Sequence, residues 1–143
     1  MNQVNYKRRV TSAAVDSPSE VSPEPVRQSI LVVDDEENFL MFLHWFLTQR
    51  GYDITTASSA DEALCLLTGH SFKVALLDVK LGTVDGITLL EQLTQRLPEL
   101  KIIIITAYPT IGSIKQAFDR DAVRYLTKPM DLPELAEAIK LFF

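Results

Sequence analysis

Residues 29–35 read Ser-Ile-Leu-Val-Val-Asp-Asp, so that four consecutive apolar residues end in two aspartates. A strand that is apolar throughout, without alternation, is typical of a parallel sheet covered by helices on both faces. The segments 74–77 and 101–105 have the same character, and the segments 53–57 and 123–127 are also predicted to be strands. The stretch at 29–35 therefore contains the first of five predicted strands.

Amphipathic segments alternate with these strands. We predict helices over residues 36–50, 59–68, 86–96 and 109–120, and a last helix that Asp131 caps. Ser59 is a capping residue type, and Glu62 three residues later completes a capping box. Five strands in strict alternation with five helices predict an α/β fold, a doubly wound parallel sheet of five strands.

Composition limits the class of protein. The 143 residues are 47% hydrophobic and 23% charged, which is typical of one globular domain. A formal net charge of -5 argues against direct binding to nucleic acid or to an anionic membrane. The sequence has no run near the ~18 apolar residues that a membrane helix needs. Cys65 stands alone, which excludes an intrachain disulfide and indicates a reducing compartment, so we expect a cytoplasmic protein.

The first 28 residues differ from the rest of the chain. They contain three of the seven prolines and a short basic run at residues 7–9, without helical or strand periodicity. We predict a flexible leader over residues 1–28 and one domain over residues 29–143. The chain ends on the apolar residues Leu141, Phe142 and Phe143. These favour the expectation that it is part of a longer protein.

Reactive side chains follow four of the predicted strands. Asp34 and Asp35 follow the first strand, Asp78 the third, Thr106 the fourth and Lys128 the last. Functional sites of open parallel sheets form outside the carboxyl ends of the strands, so these five side chains are predicted to converge. Three carboxylates at one edge repel one another, which raises their pKa values unless cations intervene.

The chemistry of this set indicates phosphoryl transfer. Lys128 supplies one positive charge, and oxygen ligands without His or Cys favour Mg²⁺, or Mn²⁺, over zinc. A metal and an ammonium neutralise the charge of a phosphoryl group in transfer, and a hydroxyl orients one of its oxygens. A carboxylate that faces such a site can act as the nucleophile and form an acyl phosphate.

At this point the chain resembles the receiver domain of two-component response regulators. The resemblance covers essentially all of residues 29–143. It rests on four motifs in this order: Leu31-Val32-Val33-Asp34-Asp35-Glu36, Leu76-Leu77-Asp78-Val79-Lys80-Leu81, Ile104-Ile105-Thr106-Ala107-Tyr108 and Tyr125-Leu126-Thr127-Lys128-Pro129. It implies a flavodoxin-like fold with strand order 2-1-3-4-5.

The resemblance also implies a role for each site residue. Asp78 is expected to accept the phosphoryl group. Mg²⁺ is expected to bind Asp35, Asp78 and the backbone carbonyl of Lys80 directly, and Asp34 mainly through a water. Lys128 is expected to pair with the phosphoryl group. The remaining expectations are a hydrogen bond from Thr106 to a phosphoryl oxygen, an inward swing of Tyr125, and a cis peptide between Lys128 and Pro129.

The implied function is a signalling switch rather than an enzyme. The phosphoryl donor is expected to be a histidine kinase or a phosphotransfer protein, and small acyl or amide phosphates often substitute for it. The output surface, which could also form a homodimer, is expected on the fourth helix, the last strand and the last helix.

Two local features go beyond the resemblance. Asp121 stands where the family usually has glycine after the fourth helix, which predicts a left-handed or distorted backbone there.

The first helix has more apolar residues than one buried stripe needs. We predict that five of them form the core face: Phe39, Phe42, Leu43, Phe46 and Leu47. Leu40, Met41 and Trp45 remain, and we predict that they form a docking or dimer patch.

Two other functions stay open from the residues. One is a Mg²⁺-dependent phosphatase with an aspartyl nucleophile, although such enzymes place the nucleophile after the first strand in an Asp-x-Asp pattern. The other is a receiver that works only as an unphosphorylated interaction module. The presence of all five site residues argues against the second reading.

Overall fold

Five parallel strands form the central sheet, as the apolar runs predict. The computed structural model describes residues 28–82 and 84–143. Apart from Gln28, the predicted leader lies outside the described residues. The strands are β1 (Ser29–Val33), β2 (Asp53–Ala57), β3 (Val74–Leu77), β4 (Lys101–Thr106) and β5 (Arg124–Thr127). The helices are α1 (Glu37–Thr48), α2 (Ala60–Leu66), α3 (Gly86–Arg96), α4 (Ile111–Asp119) and α5 (Leu132–Lys140).

The strand order is β2-β1-β3-β4-β5, and all four pairings are parallel. The α/β class and the flavodoxin-like order are therefore confirmed. The order reverses at β1, between β2 and β3. The carboxyl ends of β1 and β3 flank this switch point, which is where ligands bind in folds of this class.

Alternate residues of the central strands bury on opposite faces of the sheet, as the strand period of two requires. Ile30 and Val32 of β1 pack in a cluster with buried residues of α1 and α5. Leu31 and Val33 pack in a second cluster with buried residues of α2, α3 and α4. Two helical layers thus enclose the sheet, and both faces are dry.

The helices begin close to the predicted positions, but their caps differ in part. The Ser59 hydroxyl accepts a hydrogen bond from the Glu62 N–H at 3.1 Å, as predicted, whereas the Glu62 carboxylate accepts from the Ser58 N–H at 2.8 Å. The bond that the Glu62 carboxylate accepts therefore comes from the residue before the N-cap, Ser58, and not from Ser59 itself. Asp131 is the N-cap residue of α5, but its side chain makes no capping hydrogen bond within the described part of the chain.

A short hairpin was not predicted. Residues Lys80–Leu81 pair with Val84–Asp85 in an antiparallel two-stranded sheet directly after β3. Gly82 lies in its turn with φ +59°, a left-handed conformation that glycine adopts without strain. Two-residue strands are too short for hydrophobic periodicity to identify them. The hairpin returns the chain from the site to the start of α3.

Asp121 has φ +72°, which confirms the predicted left-handed backbone after α4. Its N–H donates to the carbonyl of Phe118 at 3.1 Å, and the N–H of Ala122 donates to the carbonyl of Ala117 at 3.0 Å. These bonds end the helix in the manner of a C-terminal cap in which glycine is the usual residue.

The predicted orientation of α1 is wrong in part. Leu40 is 4% exposed and packs in the core, so it does not belong to the outer patch, whereas Phe42 is 41% exposed. The buried stripe is Leu40, Leu43 and Leu47. At about 100° per residue, Leu40 and Leu47 both lie within about 60° of Leu43, whereas Phe42 lies about 100° away. The exposed set is therefore Met41, Phe42 and Trp45, which we call the α1 patch.

No helix within residues 28–82 and 84–143 has the length and apolar character to cross a membrane.

Two glycines at the starts of helices provide a matched test of the packing. A Cβ on Gly86 would lie 2.6 Å from the Cα of Val79, and closer still to the carbonyl oxygen of Asp78, whereas a Cβ on Gly112 would meet nothing nearer than 3.9 Å. We expect Gly86→Ala to lower the free energy of unfolding by about 2–3 kcal/mol, because backbone must move. Gly112→Ala is expected to raise it by about 0.5–1 kcal/mol. Urea denaturation of both variants measures this, and equal effects would contradict the close packing at Gly86.

Candidate functional site

The sheet ladder continues past the strand ends and sets the site residues side by side. The Asp34 N–H donates to the carbonyl of Ala57 at 3.1 Å, and the Asp78 N–H donates to the carbonyl of Val33 at 3.1 Å. The Lys128 N–H donates to the carbonyl of Thr106 at 2.8 Å. The backbone that carries the predicted residues is therefore fixed by the strands themselves.

The three aspartates converge, as predicted. Carboxylate oxygens of Asp34, Asp35 and Asp78 all lie within 4.8 Å of one another. Asp34 is 1% exposed and Asp78 is 6% exposed, whereas Asp35 is open to solvent. A cavity of about 480 Å³ opens above them. Its lining comprises Asp35, Glu36, Asp78, Lys80, Ala107, Tyr108 and Lys128.

Lys128 joins the two buried carboxylates. Its Nζ lies 2.6 Å from Oδ2 of Asp34 and 3.2 Å from Oδ2 of Asp78. The Lys128–Pro129 peptide is cis, which confirms that expectation. The Lys128 side chain is only 13% exposed, so these are largely desolvated ion pairs rather than surface ones.

Backbone N–H groups hold the remaining carboxylate oxygens. Oδ1 of Asp34 accepts from the Glu36 N–H at 2.9 Å, and Oδ1 of Asp78 accepts from the Lys80 N–H at 3.0 Å. Oδ2 of Asp35 accepts from the Gly82 N–H at 2.8 Å. The backbone of Lys80 therefore lies at the site, and its carbonyl as a metal ligand stays a prediction. The hairpin turn at Gly82 orients the exposed carboxylate.

Burial and the neighbouring charged groups together shift the pKa values of Asp34 and Lys128. Burial raises the pKa of Asp34, and the nearby charge of Asp78 adds to this, although hydrogen bonds from Lys128 and Glu36 oppose it. The sequence predicted a rise from like-charge repulsion unless cations intervene; in the structure the pKa of Asp34 is raised although Lys128 is present, and desolvation is the main cause. For Lys128, burial lowers the pKa, but the hydrogen bond and charge of Asp34 and the charge of Asp78 outweigh it, so the pKa is raised.

The donor set fits a hard divalent cation. Among the described residues, the clustered side-chain donors are carboxylate oxygens, which suit Mg²⁺ or Mn²⁺ rather than zinc. Three carboxylates and one ammonium leave a local formal charge of about -2 when all are ionised. A divalent cation would balance that charge. The open side at Asp35 leaves room for the waters that Mg²⁺ retains.

The other two predicted residues, Thr106 and Tyr125, hydrogen-bond to groups outside the carboxylate cluster. Thr106 is fully buried, and its hydroxyl accepts a hydrogen bond from the Tyr108 N–H at 3.2 Å. Tyr125 is half-buried, and its hydroxyl lies 2.8 Å from the hydroxyl of Ser113 on α4. The Ser113 hydroxyl in turn accepts from the Thr110 N–H at 3.1 Å in the capping box of α4. The Tyr125 side chain is thus tied to the first turn of that helix.

Three contacts at the site were not foreseen. Glu36 lies 3.9 Å from Nζ of Lys128, and the ring centroid of Phe39 lies 4.1 Å from the same atom. At the rim, Nζ of Lys80 lies 4.7 Å from the ring centroid of the exposed Tyr108. The contact of Phe39 had a signal in the sequence. A helical side chain covers the turn before its own Cα, so a residue four positions after Asp35 reaches back toward the carboxyl edge.

Comparison with known proteins gives a consistent family match. A family model described as the response regulator receiver domain matches residues 30–140. The alginate biosynthesis transcriptional regulatory protein AlgB of Pseudomonas aeruginosa is 36% identical over 106 residues, which are 74% of this chain and 24% of AlgB. The chain spans about a quarter of the length of the curated relatives of this kind.

Solved structures show the same similarity. A CheY-like response regulator receiver domain protein from Methanospirillum hungatei is 31% identical with a TM-score of 0.79, covering 81% of this chain and 93% of that chain. A response regulator protein from Burkholderia pseudomallei is 33% identical with a TM-score of 0.75, covering 78% of this chain and 66% of that chain. That structure contains a phosphorylated aspartic acid, a calcium ion and citrate.

The raised pKa of Asp34 predicts a pH dependence of stability. A carboxyl whose pKa is raised on folding contributes stability that is fully present below its unfolded value of 3.8 and is lost as pH rises through the folded value. With a chelator present, we expect the wild-type free energy of unfolding to fall relative to that of Asp34→Asn as pH rises above about 4. Urea denaturation at a series of pH values measures the difference.

The variant Lys128→Met tests the same pH dependence of stability in a second way. Without the ammonium, the pKa of Asp34 is expected to rise further, so the loss of stability extends to higher pH than in the wild type. A wild-type stability that increases over this range relative to Asp34→Asn contradicts the assignment.

Proposed function

The chain belongs to the response regulator receiver domain family, and we propose that it is a signalling switch in which Asp78 accepts a phosphoryl group. The observation that carries the proposal is the position of the Asp78 carboxylate. It is nearly buried, lies between an ammonium and two further carboxylates, and faces a cavity that is open to solvent. The phosphorylated aspartic acid of the Burkholderia pseudomallei relative supports it.

The proposed donor is a histidine kinase or a phosphotransfer protein that carries phosphohistidine. An oxygen of Asp78 forms a bond to phosphorus, the bond between phosphorus and the imidazole nitrogen breaks, and the electron pair leaves with the imidazole. The product is an acyl phosphate on Asp78. Lys128 is already within 3.2 Å of Asp78, so its ammonium can pair with the incoming phosphoryl oxygens without a large movement.

We propose that Asp34, Asp35, Asp78 and the carbonyl of Lys80 hold Mg²⁺, with Mn²⁺ as a substitute. The clustered oxygens and the charge imbalance support this. The cation would neutralise negative charge on the phosphoryl group in transfer. The chain's own part is to fix these oxygens, through the N–H groups of Glu36, Lys80 and Gly82.

The proposed switch couples the phosphoryl group to α4. Thr106 would donate its hydroxyl to a phosphoryl oxygen, and Tyr125 would swing inward into the space that Thr106 leaves. Because the Tyr125 hydroxyl contacts Ser113, this swing would break a contact with α4. A ligand shifts a two-state equilibrium only by its differential affinity for the two states, typically about 1–3 kcal/mol.

The proposed output surface comprises α4, β5 and α5, and it could also form a homodimer. Ile111 and Phe118 of α4 are large apolar residues that are exposed there. In the AlgB regulators, the matched segment of 106 residues makes up only 24% of the length. In a longer protein, this surface would act by contacting another domain or a second copy of the chain.

We propose that the phosphodonor docks on the α1 patch. Phe42 and Trp45 stack with ring centroids 6.3 Å apart, and Met41 extends the apolar surface. The first turn of the same helix lies beside the acidic cavity, which Glu36 helps to line. A protein bound along α1 could therefore present a phosphohistidine to Asp78.

Phosphorylation is tested by intact-mass analysis after incubation with acetyl phosphate and Mg²⁺. We expect one added phosphoryl group on the wild type, and none on Asp78→Asn or when a chelator removes the metal. Asp85→Asn, which removes a helix-capping aspartate outside the cluster, is the matched control and is expected to retain the adduct. If neither acetyl phosphate nor a phosphorylated phosphotransfer protein modifies Asp78, the proposed function is wrong.

Docking is tested with Trp45→Ser. We expect phosphotransfer from a kinase that phosphorylates the wild type to slow by about tenfold or more, because a central aromatic contact is lost. The rate with acetyl phosphate is expected to stay unchanged, since Trp45 lies outside the cavity lining. Phe118→Ser on α4 is the control for loss of an exposed aromatic residue. If both phosphotransfer and oligomeric state are unaffected by Trp45→Ser, the patch has neither role.

A further inference from the structure

Phe39 and Lys128 form a cation–π contact at the edge of the acidic cavity. The ammonium lies 4.1 Å from the ring centroid, well inside the distance of about 6 Å at which such contacts stabilise a cation. The ring is half-buried and packs against the core cluster between the sheet, α1 and α5. It is therefore a fixed surface rather than a mobile neighbour.

We propose that Phe39 is a positioning residue for Lys128, whose ammonium its ring face holds beside Asp34 and Asp78. This inference rests on the proposed function, because it assigns to the ring the task of keeping the ammonium where the phosphoryl group forms. Phe39 itself does not touch the reacting atoms.

A lysine needs such support at this position. Its four-carbon side chain has many rotamers, and ordering it costs conformational entropy. The carboxylates of Asp34 and Asp78 attract the ammonium at 2.6 Å and 3.2 Å, and that of Glu36 lies 3.9 Å from it. The ring adds a face of negative electrostatic potential and excludes water from part of the ammonium.

The contact of the Phe39 ring with Lys128 does not depend on the phosphorylation state of Asp78. Phosphorylation changes the charge and shape of the Asp78 side chain, so the contact of that carboxylate with Lys128 must be remade. The contact with Phe39 has no such dependence, because the ring neither reacts nor ionises. The ammonium can thus stay in place while its anionic partner changes from a carboxylate to a phosphoryl group.

The same helix provides a matched control. Phe46 lies near the other end of α1, and the guanidinium carbon of Arg50 lies 4.5 Å from its ring centroid. Phe46 is also half-buried in the same core cluster. Phe46→Leu therefore removes a half-buried ring and a cation–π contact, and Phe46 does not line the acidic cavity.

The first experiment compares rates of phosphorylation by acetyl phosphate with Mg²⁺. We expect Phe39→Leu to slow phosphorylation of Asp78 by about three- to tenfold, and Phe39→Tyr to retain most of the rate. Phe46→Leu is expected to leave the rate unchanged. A rate for Phe39→Leu that matches that of Phe46→Leu overturns the inference.

The second experiment separates the charge of the ring face from its packing. Site-specific incorporation of mono-, di- and trifluorophenylalanine at position 39 keeps the ring close to its natural size but progressively removes its negative face. We expect the phosphorylation rate to fall stepwise with fluorine content, and a flat series to overturn the inference. The same series at position 46 is expected to be flat.

A third measurement does not depend on phosphorylation. In the NMR spectrum, the ε-methylene protons of Lys128 are expected to be shifted upfield by the ring current of Phe39, and to lose this shift in Phe39→Leu. If the wild type is not phosphorylated at all, the proposed function fails whatever this spectrum shows. If the wild type is phosphorylated but the shift is absent, the positioning role alone fails.

Discussion

The ion pairs of Lys128 with Asp34 and Asp78 are the interaction on which the rest of the site depends. Two carboxylates lie almost out of water at the end of the sheet, and desolvation of each is costly unless a partner compensates. One ammonium compensates both, and backbone N–H groups occupy the oxygens that it does not reach. These partners offset the cost of desolvation, yet the site keeps an excess of negative charge, which a bound cation would balance.

The parallel sheet makes this arrangement possible. Along the chain, residue 78 follows residue 34 by 44 positions and residue 128 follows residue 78 by 50, but each directly follows a strand. Ladder hydrogen bonds extend through Asp34, Asp78 and Lys128, so the apolar strands fix the backbone from which the charged side chains project. This is why the site could be predicted from the sequence. Apolar runs locate the strands, and the polar residues that follow them must meet at one edge.

Features that depend on a few local contacts were less predictable. The rotation of α1 was missed because Leu40 and Phe42 are both apolar, so the sequence pattern does not decide which of them is buried; in the structure the buried stripe is Leu40, Leu43 and Leu47. The hairpin at residues 80–85 was missed because its strands are two residues long and carry no periodicity. The left-handed Asp121 was predicted, because it stands where receiver domains usually have glycine, the residue that adopts a positive φ without strain.

The alternation of side chains separates the two halves of the proposed switch. Asp34, Asp78 and Lys128 continue the alternate positions that face α1 and α5, and Phe39 of α1 meets Lys128 there. Thr106 continues the positions of Ile102 and Ile104, which face the other helical layer, and Tyr125 packs in that layer and contacts Ser113 of α4. A group bound to Asp78 at the strand ends would lie where the two layers meet. In the proposed switch, the phosphoryl group would bind at Asp78 on the α1 side, and the resulting rearrangement of Thr106 and Tyr125 would occur on the α4 side. This coupling needs no path through the core, because both sides meet at the edge of the sheet.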